Sequence, residues 1–545
     1  MRVKNSNPSA FYGVFVVVKN TNATAARRFR VSASIAEKIE SRQRRVEERL
    51  DRFNFPEDMS RPMMRGTNLH YDLAGRDIGT AYGGIGLFQQ FAQRLELAKE
   101  IDQRLSVFKI HLPYHESDHV LNLIYNALCG GRCLEDLELR RQDEAYLNSL
   151  GADRIPDPTT AGDFCRRFDT PHIEALHEAF DVARRKVWAW QPPEFFEEAC
   201  LDVDGVLVST TGECKEGMDL AYNGTWGYHP LGVTLRNTGE VLRVVNRPGS
   251  RPSHEGAAVR LDESIALCRA AGFRRLRLFG DTDFSQTKHL DRWHEQGVLF
   301  TFGLDVSVDR FVDADDLPKS AWKRLIRPPR YLPKGAPRGR RERVKQKVVE
   351  ERQFKDIRLK EEWVAEMKYQ PAACRRAYRL IIVRKNLSVS EPKQNRLFDD
   401  YKYFIYITND SESTPAEIVF GANDRCNQEN VWAQLKESRA FHAPLNTLLS
   451  NWAYMLIAAQ AWNLKAWLAL SLPLPKGRRR EKQQQERERS GLLRMEFRTF
   501  VNAFVRIPCQ VVRTGRKIVH RLLAWNRWQS VFFRLAARLA RPQRC

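Results

Sequence analysis

The chain has 545 residues, 43% of them apolar, and a formal net charge of +22, enough material for three or four domains with real cores. The positive excess is concentrated: Lys476–Cys545 holds 19 Lys and Arg against 4 Glu, and Lys323–Lys347 holds 11 basic residues and one acid. Such clustering is the footprint of a polyanionic partner, and the absence of a P-loop, a G-x-S-x-G elbow or a dinucleotide fingerprint excludes ATP, NAD and acyl-enzyme chemistry.

Residues 1–60 read as a basic, partly disordered segment with a charged helix over Ala36–Phe53. The apolar run Val14–Val18 is too short for a signal peptide. Residues 61–195 read as a helical region: Gly84–Leu97, Ser117–Cys129 and Ile173–Trp190 carry apolar residues at i, i+3 and i+4. In PDPTTAGDFCRRF, Thr160 and Asp163 have capping-box spacing and predict a helix start, with Arg166 and Arg167 as a small phosphate-binding patch. Ten Cys are scattered without a C-x-x-C pair; Cys129 and Cys133 form the closest couple, with no His or Cys spaced beside them for zinc. Reduced thiols fit a cytoplasmic protein.

Three separate segments then offer carboxylates. LDVDG supplies Asp202 and Asp204, LFGDTDF supplies Asp281 and Asp283, and NDRCNQENVWAQLK supplies Glu429. Apolar, strand-like residues lead into the first two, where any single acid would ordinarily be a helix cap or a surface residue. In the third segment Arg425, Glu429 and Lys436 are spaced by four and seven, which places them on one helical face. Ordinary i, i+4 pairing gives the same spacing. Two Mg²⁺ ions about 3.5 to 4 Å apart can activate the attacking oxygen of a phosphodiester transfer and stabilise the leaving one, and hard cations take carboxylate ligands. Three acids brought together by folding would therefore suit a two-metal nuclease.

Asp204 and Asp281 lie 77 positions apart, room for a meander and a helix, whereas Asp281 and Glu429 lie 148 apart. The longer interval holds the β-prone runs RLIIVRK and YKYFIYITN and reads as a β-rich insertion over 308–410. Trp452–Leu472 is interrupted by Gln460, Asn463 and Lys465, so it reads as a core helix rather than a membrane span. Beyond it, 476–545 reads as a basic helical region, with Arg interleaved among apolar residues for contact with DNA or another subunit. His229 in GYHPL and His254 in PSHEG are further candidates; ordinary loop histidines would look the same.

Together these segments resemble the DDE transposases of bacterial insertion sequences, in particular the cut-and-paste group whose last catalytic helix reads Y-x-x-R-x-x-x-E-x-x-x-x-x-x-K. The resemblance is carried by LDVDG, GTWGYHPLGVTLRNTGEVL, RPGSRPSHEGAA, FGDTDFSQTKHLDRWHEQGV and the Arg425–Glu429–Lys436 pattern, and runs from about residue 65 to the C-terminus. Two positions depart from it: Ala422 stands where the group has Tyr, and Val206 where it has Thr.

The resemblance implies an α/β fold with an RNase H-like catalytic core over 196–307 and 411–475, surrounded by the helical N-terminal region, the β-rich insertion and the basic C-terminal region. It implies that Asp204, Asp281 and Glu429 hold two Mg²⁺ (or Mn²⁺) ions, with Asp202 the alternative to Asp204, and that Arg425 and Lys436 hold phosphates. The partners implied are double-stranded DNA with terminal inverted repeats and target DNA, engaged by a homodimer assembled on DNA, with no membrane contact and a nucleoid-associated location. It further implies that an aromatic of the insertion, Tyr403 or Phe404, stacks on a base flipped out as the element end closes into a hairpin. A stand-alone nuclease and an inactive DNA-binding regulator are the rival readings.

Overall fold

The structure is a computed structural model that describes residues 32–51, 78–111, 113–305, 314, 316–327, 361–386, 389–391, 394–395, 401–473, 479–514 and 517–540. Residues 1–31 and most of the basic stretch after residue 327 lie outside the described residues.

The described residues up to 188 are mainly helical. Helix α1 (Ala33–Asp51) is followed by strand β1 (Ile78–Thr80) and helices α2 (Ile85–Arg94), α3 (Leu97–Arg104), α4 (Glu116–Leu128), α5 (Asp136–Arg141), α6 (Glu144–Leu150), α7 (Pro158–Arg166) and α8 (Thr170–Trp188). The apolar stripe over Gly84–Leu97 is two helices, because Glu96 takes a left-handed φ of 56° between α2 and α3. α7 starts earlier than the T-x-x-D spacing suggests. Asp157 caps it, accepting from the Thr160 N–H at 2.9 Å, with Pro158 in the first turn where its missing N–H costs nothing. Asp163 instead pairs with Arg166 at 2.6 Å.

Next come β2 (Glu198–Gly205), a small sheet of β3 (Val208–Ser209), β4 (Asp219–Leu220) and β5 (Trp226–Tyr228), then β6 (Leu231–Leu235), β7 (Glu240–Val245), α9 (Ala257–Ala271), β8 (Arg275–Gly280), α10 (Leu290–Glu295) and β9 (Leu299–Leu304). The interval before Glu429 adds β10 (Lys323–Arg324), β11 (Glu361–Tyr369), β12 (Tyr378–Asn386), the short pair β13 (Val389–Glu391) and β14 (Gln394–Asn395), and β15 (Tyr401–Thr408). One nine-stranded mixed sheet runs β10-β11-β12-β15-β9-β8-β2-β6-β7. Within it β2, β8 and β9 are parallel, β6 and β7 form an antiparallel meander beside β2, and β15 pairs antiparallel with β9. The strands of the interval therefore extend the central sheet.

The chain closes with α11 (Pro415–Asn423), α12 (Cys426–Glu437), α13 (Leu448–Leu470), α14 (Arg479–Leu493), α15 (Phe497–Phe504), β16 (Cys509–Thr514), β17 (Lys517–Leu522) and α16 (Gln529–Leu539). The expectation of an all-helical C-terminal region is thus corrected: β16 and β17 are an antiparallel pair, and β1 adds to them as a third strand. The β-branched residues Val511, Val512, Ile518 and Val519, two on either side of Gly515, favour strands here over the helical spacing. α13 is capped by Thr447 and buried on every side from Ser450 onward, so it is a core helix. Among the described residues no helix is long and apolar enough to cross a membrane.

Where α8, β7 and α13 meet, the core is polar. Fully buried Glu240 accepts from Arg184 Nε (3.1 Å), Trp188 Nε1 (3.0 Å), Trp467 Nε1 (2.6 Å) and the Thr238 hydroxyl (2.6 Å). Asp181 accepts from Arg184 and, at 2.7 Å, from Arg243, which also pairs with Glu263 at 3.1 Å. On the same helix Lys465 is buried; its Nζ donates to the Met495 carbonyl at 2.6 Å and lies 3.9 Å from the Trp462 ring centre, and burial pushes its pKa down to about 7.

Candidate active site

Two parallel strands and one helix converge on a group of acids. β2 carries Leu201 and Val203 into the core on one face and Asp202 and Asp204 on the other, as period two requires. β8 runs parallel to β2, with Asp202 opposite Phe279, and ends at Gly280, so Asp281 follows where the strand stops. Asp281 caps a short turn over Thr282–Phe284, accepting from the Asp283 N–H at 3.1 Å. This turn lies against Gly303 of β9, where an added Cβ would come within 2.7 Å of the Thr282 nitrogen. A side chain at 303 would displace Asp281.

α12 is fixed on β2 by two contacts. Gln428 donates through its side-chain amide to the Asp202 carbonyl at 2.9 Å. The Trp432 ring fills the space above Gly232, the residue paired with Asp204; a Cβ at 232 would lie 2.2 Å from it. Docked this way, α12 holds Glu429 in its first turn and Arg425 at its N-cap. The Arg425 guanidinium pairs with Asp204 at 3.0 Å and with Glu429 at 3.6 Å, so both acids meet on one cation.

The electrostatics follow from three acids sharing one arginine. Burial pushes the Asp204 carboxyl up to about 7; Arg425 opposes that rise, and the neighbouring charges of Asp281 and Glu429 add to it. Asp281 is raised in the same way, by burial first, against Arg425 and with Asp283 and Glu429. Burial would lower the Arg425 pKa, yet Asp204, Asp281, Glu429 and Asp202 together raise it. An excess of clustered carboxylates is the donor set that hard divalent cations take.

Asp202, the alternative to Asp204, is already partnered. It is 1% exposed and accepts from Arg236 Nε at 2.9 and 3.1 Å, while Arg236 lies 3.8 Å from the Phe279 ring centre and donates to the Gly421 carbonyl at 2.7 Å. No spacing in the sequence points to Arg236. Asp283 is exposed, outside the strand. Lys436 is exposed in the last turn of α12.

The two candidate aromatics of β15, Tyr403 and Phe404, lie on opposite faces. Tyr403 is 6% exposed and meets Trp322 edge-on at 6.3 Å, a core position. Phe404 is half-buried, with Lys385 Nζ 4.3 Å from its ring centre. Val206 is buried and Ala422 half-buried. His229 is buried against Gly205, its Nδ1 3.0 Å from the Arg251 carbonyl. His254 is half-buried; its carbonyl accepts from Gln286 at 3.3 Å. Arg166 is engaged by Asp163 and Asn446, and Arg167 lies over Phe108.

The sheet order brings Asp204 and Glu429 together on Arg425, with Asp281 at the end of the adjacent strand. The family model for the transposase DDE domain group 1 matches residues 61–544, and the chain belongs to that family of transposases. Its fold is also similar to the piggyBac transposase in the cryo-EM structure of a synaptic complex with hairpin DNA, at 10% identity and a TM-score of 0.35, over 78% of this chain and 84% of that one. No curated protein sequence matches the chain.

Proposed function

We propose that this transposase cleaves the ends of a bacterial insertion sequence and joins the freed 3′ hydroxyls to target DNA, with Asp204, Asp281 and Glu429 as the catalytic acids. The observation that carries this reading is the meeting of Asp204 and Glu429 on the Arg425 guanidinium, with Asp281 raised by burial and by the charges of Asp283 and Glu429. Three carboxylates against one cation fit two Mg²⁺ or Mn²⁺ ions, which would supply activation of the attacking oxygen and stabilisation of the leaving one. Asp204 and Asp281 are placed by strand ends and Glu429 by a docked helix, so the acids are held on rigid elements rather than on free loops. Arg425 favours the ionised form of Asp204 and, with Lys436 about three turns on, holds the phosphates of the strand being cut.

The central strands β7-β6-β2-β8-β9, an antiparallel meander beside three parallel strands, support an RNase H-like core over 196–307 and 411–475. The helical region 61–195 reads the terminal inverted repeats, the β-rich interval 308–410 extends the core sheet, and the basic region 476–545 contacts DNA or the second subunit of a homodimer assembled on DNA. In the cytoplasm the enzyme works at the nucleoid. Of Tyr403 and Phe404 in β15, Phe404 is the one with ring surface available to a base displaced during hairpin closure. Ala422 leaves out the Tyr of the Y-R-E-K pattern while Arg425, Glu429 and Lys436 stand.

The test is an in vitro reaction on DNA carrying the ends that flank the gene, with Mg²⁺ or Mn²⁺. Ends cut with free 3′ hydroxyls and joined to a target plasmid are expected. Hydrolysed ends that never join would make the protein a stand-alone nuclease, and binding without cutting would make it a regulator.

A further inference from the structure

We propose that His111, His115 and Glu116 form a second metal site, for Zn²⁺ or a neighbouring transition-metal ion, which ties the connection between α3 and α4 to the first turn of α4. One ligand atom from each residue lies within 4.8 Å of the other two. His111 Nδ1 and Glu116 Oε2 are 3.0 Å apart. Ligands bound to zinc at about 2.0–2.1 Å in a tetrahedron sit roughly 3.3 Å from one another, so this pair needs almost no movement to share an ion. The two imidazoles are stacked, 5.3 Å apart and 8° from parallel.

Glu116 makes the group more than a surface coincidence. Its carboxylate is 1% exposed, and Oε1 accepts from the Val107 and Phe108 N–H groups at 3.0 Å each. That fixes the orientation and leaves Oε2 for His111, the carboxylate's ion-pair partner among the described residues. A buried carboxylate with no lysine or arginine beside it is short of positive charge, and a divalent ion supplies it. Both imidazoles are exposed, so an ion has an entry path and at least one position left for water.

The donor set separates this site from the acids on the sheet. Two nitrogens and one oxygen suit zinc, nickel or cobalt, whereas Mg²⁺ keeps octahedral oxygen ligands. The His-x-x-x-His-Glu spacing is visible in HLPYHE, away from every Cys, so a search around cysteines passes over it. Bound metal would hold the segment that carries exposed Lys109 and Ile110 in one conformation on the helical region.

Full-length protein is loaded with Zn²⁺ in excess Mg²⁺, desalted and assayed for metal, with Co²⁺ substitution followed in the visible spectrum. One Zn²⁺ per chain is expected, retained in an Asp204→Asn/Asp281→Asn variant, with the cobalt bands of a low-coordinate nitrogen site. His111→Ala/His115→Ala alters exposed side chains, keeps its circular dichroism spectrum, and should weaken zinc by more than about 100-fold, beyond the loss typical of an outer-shell change. Zinc content unchanged in that variant, or no zinc retained by the unmodified chain, overturns the assignment. Neither outcome depends on cleavage of DNA.

Discussion

Two clusters of charged residues in this molecule are built on opposite terms, one deep in the core and one at the edge of the sheet, where Glu429 is exposed. Around Glu240, four donors reach one carboxylate, Asp181 pairs with Arg184 and Arg243, and Arg243 also pairs with Glu263. At the ends of β2 and β8, Asp204, Asp281 and Glu429 share Arg425, and burial raises the proton affinity of two of them. Charge that is fully answered specifies a fold; charge left under-neutralised is a place for something to bind. The first cluster joins α8, β7 and α13 into one core, and the second sits where strands stop and solvent begins.

The sharpest way to break this contrast is to exchange the consequences. Asp281→Asn or Glu429→Gln should lower DNA cleavage on the order of 10³-fold, the scale of losing a central electrostatic contact, while urea unfolding of the metal-free protein stays near its unmodified midpoint. Glu240→Ala should do the reverse at the level of the fold. Removing one partner from a buried network leaves uncompensated arginine and costs about 3–5 kcal/mol in urea unfolding. An active-site variant that unfolds, or a Glu240 variant that does not, would erase the distinction.

Arg425→Ala sharpens it further. Arg425 favours the ionised form of Asp204, so without it the carboxyl keeps its proton to higher pH. The acid limb of the cleavage profile should move upward, and activity near pH 7 should drop about tenfold for each pH unit of that movement. Lys465→Met tests the third case, a buried cation without an acid. Its folded pKa, about 7, lies below the ordinary lysine value, so the unfolded chain binds more protons between these two values and stability rises with pH across that window. The substitution should stabilise by on the order of 1–2 kcal/mol below pH 7, a gain that shrinks as pH approaches the ordinary lysine range; thermal melts at pH 6 and pH 9 read it. The smallest effect belongs to Lys436→Ala, which should reduce the salt dependence of DNA binding by about one unit of slope.

What the sequence makes legible depends on whether one element decides the matter. Arg425 and Glu429 are four apart around the start of α12, so their meeting follows from local geometry alone. The difference between Asp202 and Asp204 does not, because both project to one face of β2; it lies in their partners, Arg236 reaching Asp202 from beyond β6 and Arg425 reaching Asp204 from α12. Asp281 and Asp283 separate because β8 stops at Gly280 and the chain turns. Tyr403 and Phe404 differ only in which face of β15 meets Trp322 and the core. In the C-terminal region, interleaved arginines satisfy a helical period over residues that pair as β16 and β17, and β1, more than 400 positions earlier, completes that sheet. Partners so distant leave no trace in a local pattern.

The position of Glu429 also has a meaning in time. Asp204 and Asp281 emerge from the ribosome first, and 148 residues separate Asp281 from Glu429. At about 5–20 residues per second, the delay is on the order of 10 s. During it, β15 must be made and laid against β9 before α12 can cross β2. A nascent chain therefore holds two of the three proposed acids without the third until most of its own sequence has been read.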